Sequence, residues 1–269
     1  MLRRIAALSI VLLATAACNK EPAPQSSAEP FDLVVANGMV YDGRGGDPYV
    51  ADVAVRGDRI VAIGEDLGPA TRTIDAEGLA VAPGFINMLS WATESLIEDG
   101  RSQSDIRQGV TLEVMGEGWS MGPLNEAMKA GMVERQGDIT FQPSWDTLGG
   151  YLQFLEDKGV STNVASFVGA TTVRIHELGF EDRAPTPEEL DRMRALVRTA
   201  MEEGALGVGS SLIYAPAFYA EAGELVALCE VAAEYGGRYI SHMRSEGNQL
   251  LEAVDELISI ARASGIGAE

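Results

Sequence analysis

The chain has 269 residues, 46% of them hydrophobic, and carries 40 acidic against 20 basic side chains for a formal net charge of -20. That length suffices for one large domain or two smaller ones. The acid excess argues against a nucleic-acid partner, because phosphate contacts need clustered Lys and Arg. The chain's 30 glycines and low aromatic content (6%) suit an α/β protein with many tight strand–helix turns.

Met1–Arg4 is basic, Ile5–Ala16 is almost wholly apolar, and small residues precede Cys18. This is the layout of a secretory signal over residues 1–17. The apolar run is short of the ~20 residues a transmembrane helix needs. Leu13-Ala14-Thr15-Ala16-Ala17-Cys18 resembles a bacterial lipobox. The resemblance implies cleavage before Cys18, its lipidation, and anchoring on the periplasmic side. Asn19 after the cysteine resembles the outer-membrane rather than the inner-membrane-retained class. An ordinary signal peptide, giving a secreted protein, is the alternative. Residues 18–30, rich in Pro, Ala and Ser, read as a flexible tether. With Cys18 in the export segment no disulfide framework remains. Cys229, in the apolar run Leu225–Ala232, reads as a buried core thiol.

Residues 31–82 alternate as short strands: 32–36 and 38–41 with a turn at Asn37-Gly38, then 51–56, 59–63, 71–75 and 79–82. Six short strands in about 50 residues predict a sandwich or a small barrel. From Pro83 strands and helices alternate instead. Strands are expected at 84–89, 110–115, 163–168, 205–209 and 238–243. Helices are expected at 103–108, 148–157, from a Thr186-Pro187-Glu188-Glu189 capping box to Gly204, at 221–234 and at 249–263. A sixth strand should start after Gly265-Ile266-Gly267-Ala268-Glu269. About five β–loop–α units over residues 83–269 imply right-handed crossovers and a parallel sheet. They are too few to close an eight-stranded barrel, and a doubly wound open sheet is the alternative.

The runs Asp32–Gly43, Ala51–Gly64 and Thr71–Asn87 resemble the N-terminal segment of the amidohydrolase superfamily, and more narrowly its D-aminoacylase (N-acyl-D-amino-acid deacylase) branch. The resemblance covers nearly all of residues 31–269 and is strongest at Pro83–Ile86 and Tyr239–Gly247. It implies an incomplete TIM-like (β/α) barrel preceded by a small β-sandwich segment. It also implies a hydrolase that uses zinc-activated water to cleave the amide of N-acyl-D-amino acids or related small molecules. By that comparison the chain is an N-terminal fragment. The sixth-strand histidine and the eighth-strand aspartate base would lie beyond Glu269, so the 269-residue chain by itself should be inactive.

The motif residues decide what kind of metal site is expected. The family's first barrel strand ends in a His-x-His pair, two imidazoles on one side of a strand reaching one ion. The matching positions here are Leu89 and Trp91, with Asn87 at the usual aspartate. Neither Leu nor Trp binds zinc, so a two-metal site is not expected and one ion is. Aligned backwards from Pro123, Glu117 falls at the family's cysteine ligand. It reads either as a zinc ligand or as a loop carboxylate in water. In Tyr239-Ile240-Ser241-His242-Met243-Arg244-Ser245-Glu246-Gly247, His242 sits where the family has a principal zinc ligand. The bland alternative is a packed strand-end histidine. Arg244 suits a substrate carboxylate or a loop salt bridge. Ser211 and Tyr214, at the fourth-strand end, suit hydrogen bonds to substrate or turn packing. His176 is displaced by six residues from the family's loop histidine, whose position is Ala170, and reads as a surface residue. Loss of the strand-one pair also motivates a second function, a non-catalytic ligand-binding lipoprotein. A purely structural lipoprotein is the third.

Overall fold

A computed structural model describes residues 29–269, and the expected export segment and Cys18 lie outside them. The chain divides into two compact units, the first ending at Pro83 and the second running Gly84–Glu269. No helix among the described residues is long and apolar enough to cross a membrane.

The first unit is one five-stranded sheet made of β1 (Phe31–Val40), β2 (Tyr49–Arg56), β3 (Arg59–Gly64), β4 (Ala70–Asp75) and β5 (Ala80–Val81). The order is β3-β2-β1-β4, with β5 also paired to β1. β1, β2 and β3 form an antiparallel meander, while β4 and β5 run parallel to β1. Val40, Ala51 and Val53 form its small core, backed by Val35 and Val81. Ile60, Val61 and Ile63 of β3 remain exposed. The described strands thus make a single sheet rather than a two-layer sandwich. The turn expected at Asn37-Gly38 is instead a register shift inside one long strand. Asn37 takes φ 61° there. Its backbone N–H donates to Asp52 Oδ1 at 2.9 Å and its side-chain amide to Asp75 Oδ1 at 3.1 Å. Two carboxylates on neighbouring strands therefore hold the chain straight where the Asn-Gly pair favours reversal.

The second unit alternates strand and helix. It contains β6 (Phe85–Asn87), the short turns α1 (Ser95–Glu98) and α2 (Gln103–Ile106), β7 (Val110–Met115), α3 (Glu126–Glu134), α4 (Leu148–Lys158), β8 (Asn163–Ser166), β9 (Val168–Gly169) and α5 (Ala170–Leu178). α6 (Pro187–Glu202), β10 (Gly207–Ser211), α7 (Ala222–Glu234), β11 (Arg238–His242), α8 (Leu250–Ser264) and β12 (Gly267–Ala268) complete it. The strands lie in two parallel sheets, β6-β7-β8 and β9-β10-β11-β12, with no closed barrel among the described residues. The break falls at Phe167, whose N–H donates to Met115 O at 2.8 Å, while Ser166 O accepts from Leu206 N at 2.9 Å. One residue therefore links the two sheets. The larger core sits between β9–β12 and the helices, with Val208, Leu225, Leu228, Cys229, Tyr239 and Ile260 buried. A second cluster packs Leu96, Met115, Trp145, Tyr151 and Leu155 beneath α4.

Two helices were not expected, and both carry weak local signals. α5 begins Ala170-Thr171-Thr172-Val173, and β-branched residues disfavour helix on their own. Burial decides the matter, since Ala170–Ile175 and Leu178 are all buried. α3 buries none of its residues fully. The Asn125 side chain starts it by accepting from Met128 N. α6 forms through its capping box: Thr186 Oγ1 accepts from Glu189 N at 3.2 Å, and Glu189 Oε2 accepts from Thr186 N at 2.8 Å.

Candidate metal and substrate site

The parallel strands β10 and β11 end side by side, and the loop that follows β7 of the other sheet reaches across to them, bringing the candidate residues together. Ser211 pairs with His242 as the last step of the β10–β11 ladder. The loop after β7, residues 116–123, crosses the ends of these strands. It is fixed by backbone and hydroxyl contacts rather than by its own propensity. Ser211 Oγ donates to Glu117 O at 3.0 Å, Thr171 N to Gly118 O at 3.0 Å, and Gly169 N to Ser120 Oγ at 2.9 Å. Ser120 N donates to Thr172 Oγ1 at 2.8 Å. Glycine is required in two places. A Cβ at Gly118, which has φ +80°, would meet Ser211 Oγ at 2.3 Å, and one at Gly209 would meet Gly116 O at 2.1 Å.

This packing places the Glu117 carboxylate 3.8 Å from His242 Nδ1. Both side chains are largely buried, at 14% and 22% exposure. Burial pushes the Glu117 carboxyl above the usual carboxylate range; His242 opposes that shift and Glu246 adds to it. Glu246, four residues on from His242, stands 3.2 Å from Nε2. It lies off the N–H direction, so Nε2 is buried without a hydrogen-bond partner. The Tyr214 ring meets the imidazole edge-on at a centroid distance of 5.3 Å. Glu117, His242, Ser211 and Tyr214 therefore share one place, and Glu246 joins them. Glu246 was missed in the sequence, although its i+4 spacing from His242 in the same motif was visible.

Arg244 turns away from this group. Its guanidinium donates to Glu256 at 2.9 Å, to Phe218 O at 2.6 Å and to Ala220 O at 2.8 Å, and lies over the Phe218 ring. Of the two roles expected for it, the structure shows the loop salt bridge. His176 is half-buried on α5, with Nδ1 2.9 Å from Glu177 Oε1, and Glu177 in turn accepts from Arg192. Cys229 is fully buried and its thiol is pushed up to about 12 by that burial.

A further carboxylate, unlike the mostly exposed Glu246, is fully buried near the loop that carries Glu117. Glu113 on β7 is wholly enclosed. It accepts from Ser90 Oγ at 2.6 Å, Ser102 Oγ at 2.7 Å and Thr162 Oγ1 at 3.0 Å. Ser90 lies between Leu89 and Trp91, so this anion anchors the β6 exit loop from below.

Glu117 and His242 offer oxygen and nitrogen donors suited to zinc, and the buried, unpartnered Nε2 is a further mark of a group meant to meet something. They are two donors, whereas a catalytic zinc takes three protein ligands. Among the described residues no three His, Cys, Asp or Glu side chains converge as a ligand set.

Comparison with known proteins fits this arrangement. No protein-family model matches the chain. Among curated proteins it is 36% identical over 243 residues to a D-aminoacylase from Alcaligenes xylosoxydans xylosoxydans, covering 88% of this chain and 49% of the relative. It is 35% identical, with the same coverage, to an N-acyl-D-glutamate deacylase of that organism. Among solved structures it superposes on D-aminoacylase with a TM-score of 0.79 at 33% identity, covering 89% of this chain and 51% of that one. The N-acyl-D-glutamate deacylase of Bordetella bronchiseptica, solved with zinc and a phosphonate mimic of the tetrahedral intermediate, gives 0.78 at 31% identity, with the same coverage. The chain is thus similar, over most of its own length, to D-aminoacylases and N-acyl-D-amino-acid deacylases, and it spans about half the length of the curated relatives it matches.

Proposed function

We propose that this chain forms the metal-facing part of a zinc-dependent amidohydrolase acting on N-acyl-D-amino acids or closely related amides. The observation that carries the reading is the Glu117–His242 pair, 3.8 Å apart at the ends of parallel strands, in a chain related to D-aminoacylases. In the whole protein the strands belong to a TIM-like barrel and the first unit to a β-sandwich. The protein is exported and held at the outer membrane through Cys18, or is secreted if that cysteine carries no lipid.

Glu117 and His242 would hold one zinc ion. A bound zinc would supply a Lewis acid and an activated water for attack on the amide carbon. Ser211 fixes the carbonyl of Glu117, so the carboxylate is aimed by β10 rather than by a free loop. Tyr214 stands edge-on to the imidazole, and its hydroxyl would be available to the substrate. Arg244 ties the loop after β11 to α8 through Glu256, which keeps His242 in register. The one-ion count rests on Leu89 and Trp91 at the positions of the family's first-strand His-x-His pair. A D-aminoacylase has been described with a binuclear centre, one-metal activation and second-metal attenuation, and a one-metal descendant accords with that behaviour. With two donors present, the 269-residue chain is expected to bind zinc weakly and to release no D-amino acid unaided.

The test is imidazole NMR. The chain has two histidines. Zinc should shift the His242 ring signals and leave His176 unmoved, and an unmoved His242 would overturn the reading. A second reading, a ligand-binding relative without catalysis, is favoured by the absence of a three-ligand set among the described residues. It predicts no zinc response at either histidine.

A further inference from the structure

The second unit contains a cavity of about 880 Å³, a size that encloses a small organic ligand. Trp91, Trp119, Met121, Met128, Met132 and Phe180 supply its apolar wall. Several polar residues also line it, and the side-chain atoms of four of them are already engaged. Ser90 Oγ donates to Glu113, Ser120 Oγ to Gly122 O, and the Asn125 amide to His176 O. Thr172 Oγ1 bonds the Ser120 backbone. The two charged lining residues, Glu94 and Arg135, are both exposed to solvent.

One loop separates this cavity from the candidate metal site. Glu117 faces His242, while Gly116, Trp119, Ser120 and Met121 of the same loop line the cavity. Trp91, which stands where the resembling family has a histidine ligand, is part of the wall. An apolar ring thus lines the cavity at a position where the resembling family has a metal ligand.

We propose that this cavity is the acyl pocket of the site and that the chain recognises amides whose acyl group is a medium-length alkyl chain. This inference rests on the amidohydrolase reading and names the substrate class within it. An N-acyl amino acid has an uncharged side and a side bearing a carboxylate. Burying a carboxylate without a cationic partner is costly, and the one cation in the lining, Arg135, is exposed to solvent. The acyl side is therefore the one that enters, and methionine side chains adapt to a flexible chain.

The test measures binding to the full chain without zinc, by calorimetry and tryptophan fluorescence. The probes are N-octanoyl-D-alanine and N-acetyl-D-alanine. The octanoyl compound should bind at least about tenfold more tightly, from burial of its extra methylenes. Ala127 lines the cavity from an exposed helix position, so Ala127→Trp should fill the space without disturbing the core and abolish the preference. Met132→Lys, checked for folding by circular dichroism, should do the same. Equal affinity for the two probes, or a preference that survives both substitutions in folded protein, overturns the proposal. The zinc response of His242 is read separately, so failure of the metal reading and failure of the acyl pocket are distinguishable.

Discussion

Glu224→Ala should be among the most damaging single changes in the second unit, and its cost can be worked from the surroundings of Arg174. Arg174 on α5 and Glu224 on α7 have side chains only 1% and 3% exposed, and Arg174 Nη1 donates to Glu224 Oε2 at 2.5 Å. Nη2 donates to the carbonyls of Glu181 and Arg183 at 3.1 and 2.6 Å, while Nε is buried with no partner. Removing the carboxylate leaves a buried guanidinium with two carbonyl acceptors and no counter-charge. Breaking a buried pair in this way costs about 3–5 kcal/mol. At roughly 2–4 °C per kcal/mol for a unit of this size, melting should fall by about 6–20 °C. Glu224→Gln keeps one acceptor oxygen and should lose about half as much. Replacing both partners, as Arg174→Met with Glu224→Leu, removes the stranded charge and should recover most of the loss. Thermal melting followed by near-ultraviolet circular dichroism at neutral pH decides. If Glu224→Ala melts within about 2 °C of the parent, or the double variant is no better than the single, then the reasoning on buried charge fails. The same substitution reaches the candidate site, because α5 also supplies the Thr171 and Thr172 contacts that hold the Glu117 loop.

Glu113→Gln should cost about 2–4 kcal/mol in urea unfolding, since three hydroxyl donors lose a charged acceptor. It should also loosen the loop bearing Trp91, visible as a change in tryptophan emission. Gly209→Ala should cost at least about 2 kcal/mol, because its Cβ would press on the Gly116 carbonyl and displace the loop that presents Glu117. The α6 cap should be acid-sensitive. The Arg183 guanidinium, followed by the Thr186 backbone N–H, holds the Glu189 carboxyl down at about 2, from an ordinary 4.5. A depressed folded value means that the stabilisation is present above the unfolded value near 4.5 and is lost as pH falls toward 2. Protection of the amides at the start of α6, measured against their intrinsic exchange rates, should therefore fall across that window in the parent and show no such step in Glu189→Ala.

Much of the second unit was legible in the sequence because its helices carry period-3.6 apolar faces and explicit punctuation. The Thr186–Glu189 box, Gly159 after α4 and Gly265 after α8 are local signals, and the corresponding helices lie within a residue or two of their expected places. What escaped was set by tertiary contact. α5 is helical despite its β-branched start because its residues are buried between β10 and α6. The strand expected at 163–168 breaks at Phe167 because neighbouring strands take its backbone groups in two directions. At the site, the motif resemblance singled out Glu117 and His242, and the fold brings them together. Their partners were harder to read. Ser211 acts on the backbone of Glu117 rather than outward. The donors of Arg244 are taken up by carbonyls 24 and 26 residues away, which no local pattern records. Ser102 and Thr162, which bond Glu113 from different loops, carry no sequence signal at all.

The central claim is that Glu117 and His242 together form a single zinc site. Competition between the purified chain and a chromophoric zinc indicator measures both stoichiometry and affinity, in the parent and in Glu117→Ala and His242→Ala. One ion per chain, lost in each variant while His176→Ala leaves it intact, is the expected result. Two ions per chain, no binding, or binding that survives both substitutions would contradict the account.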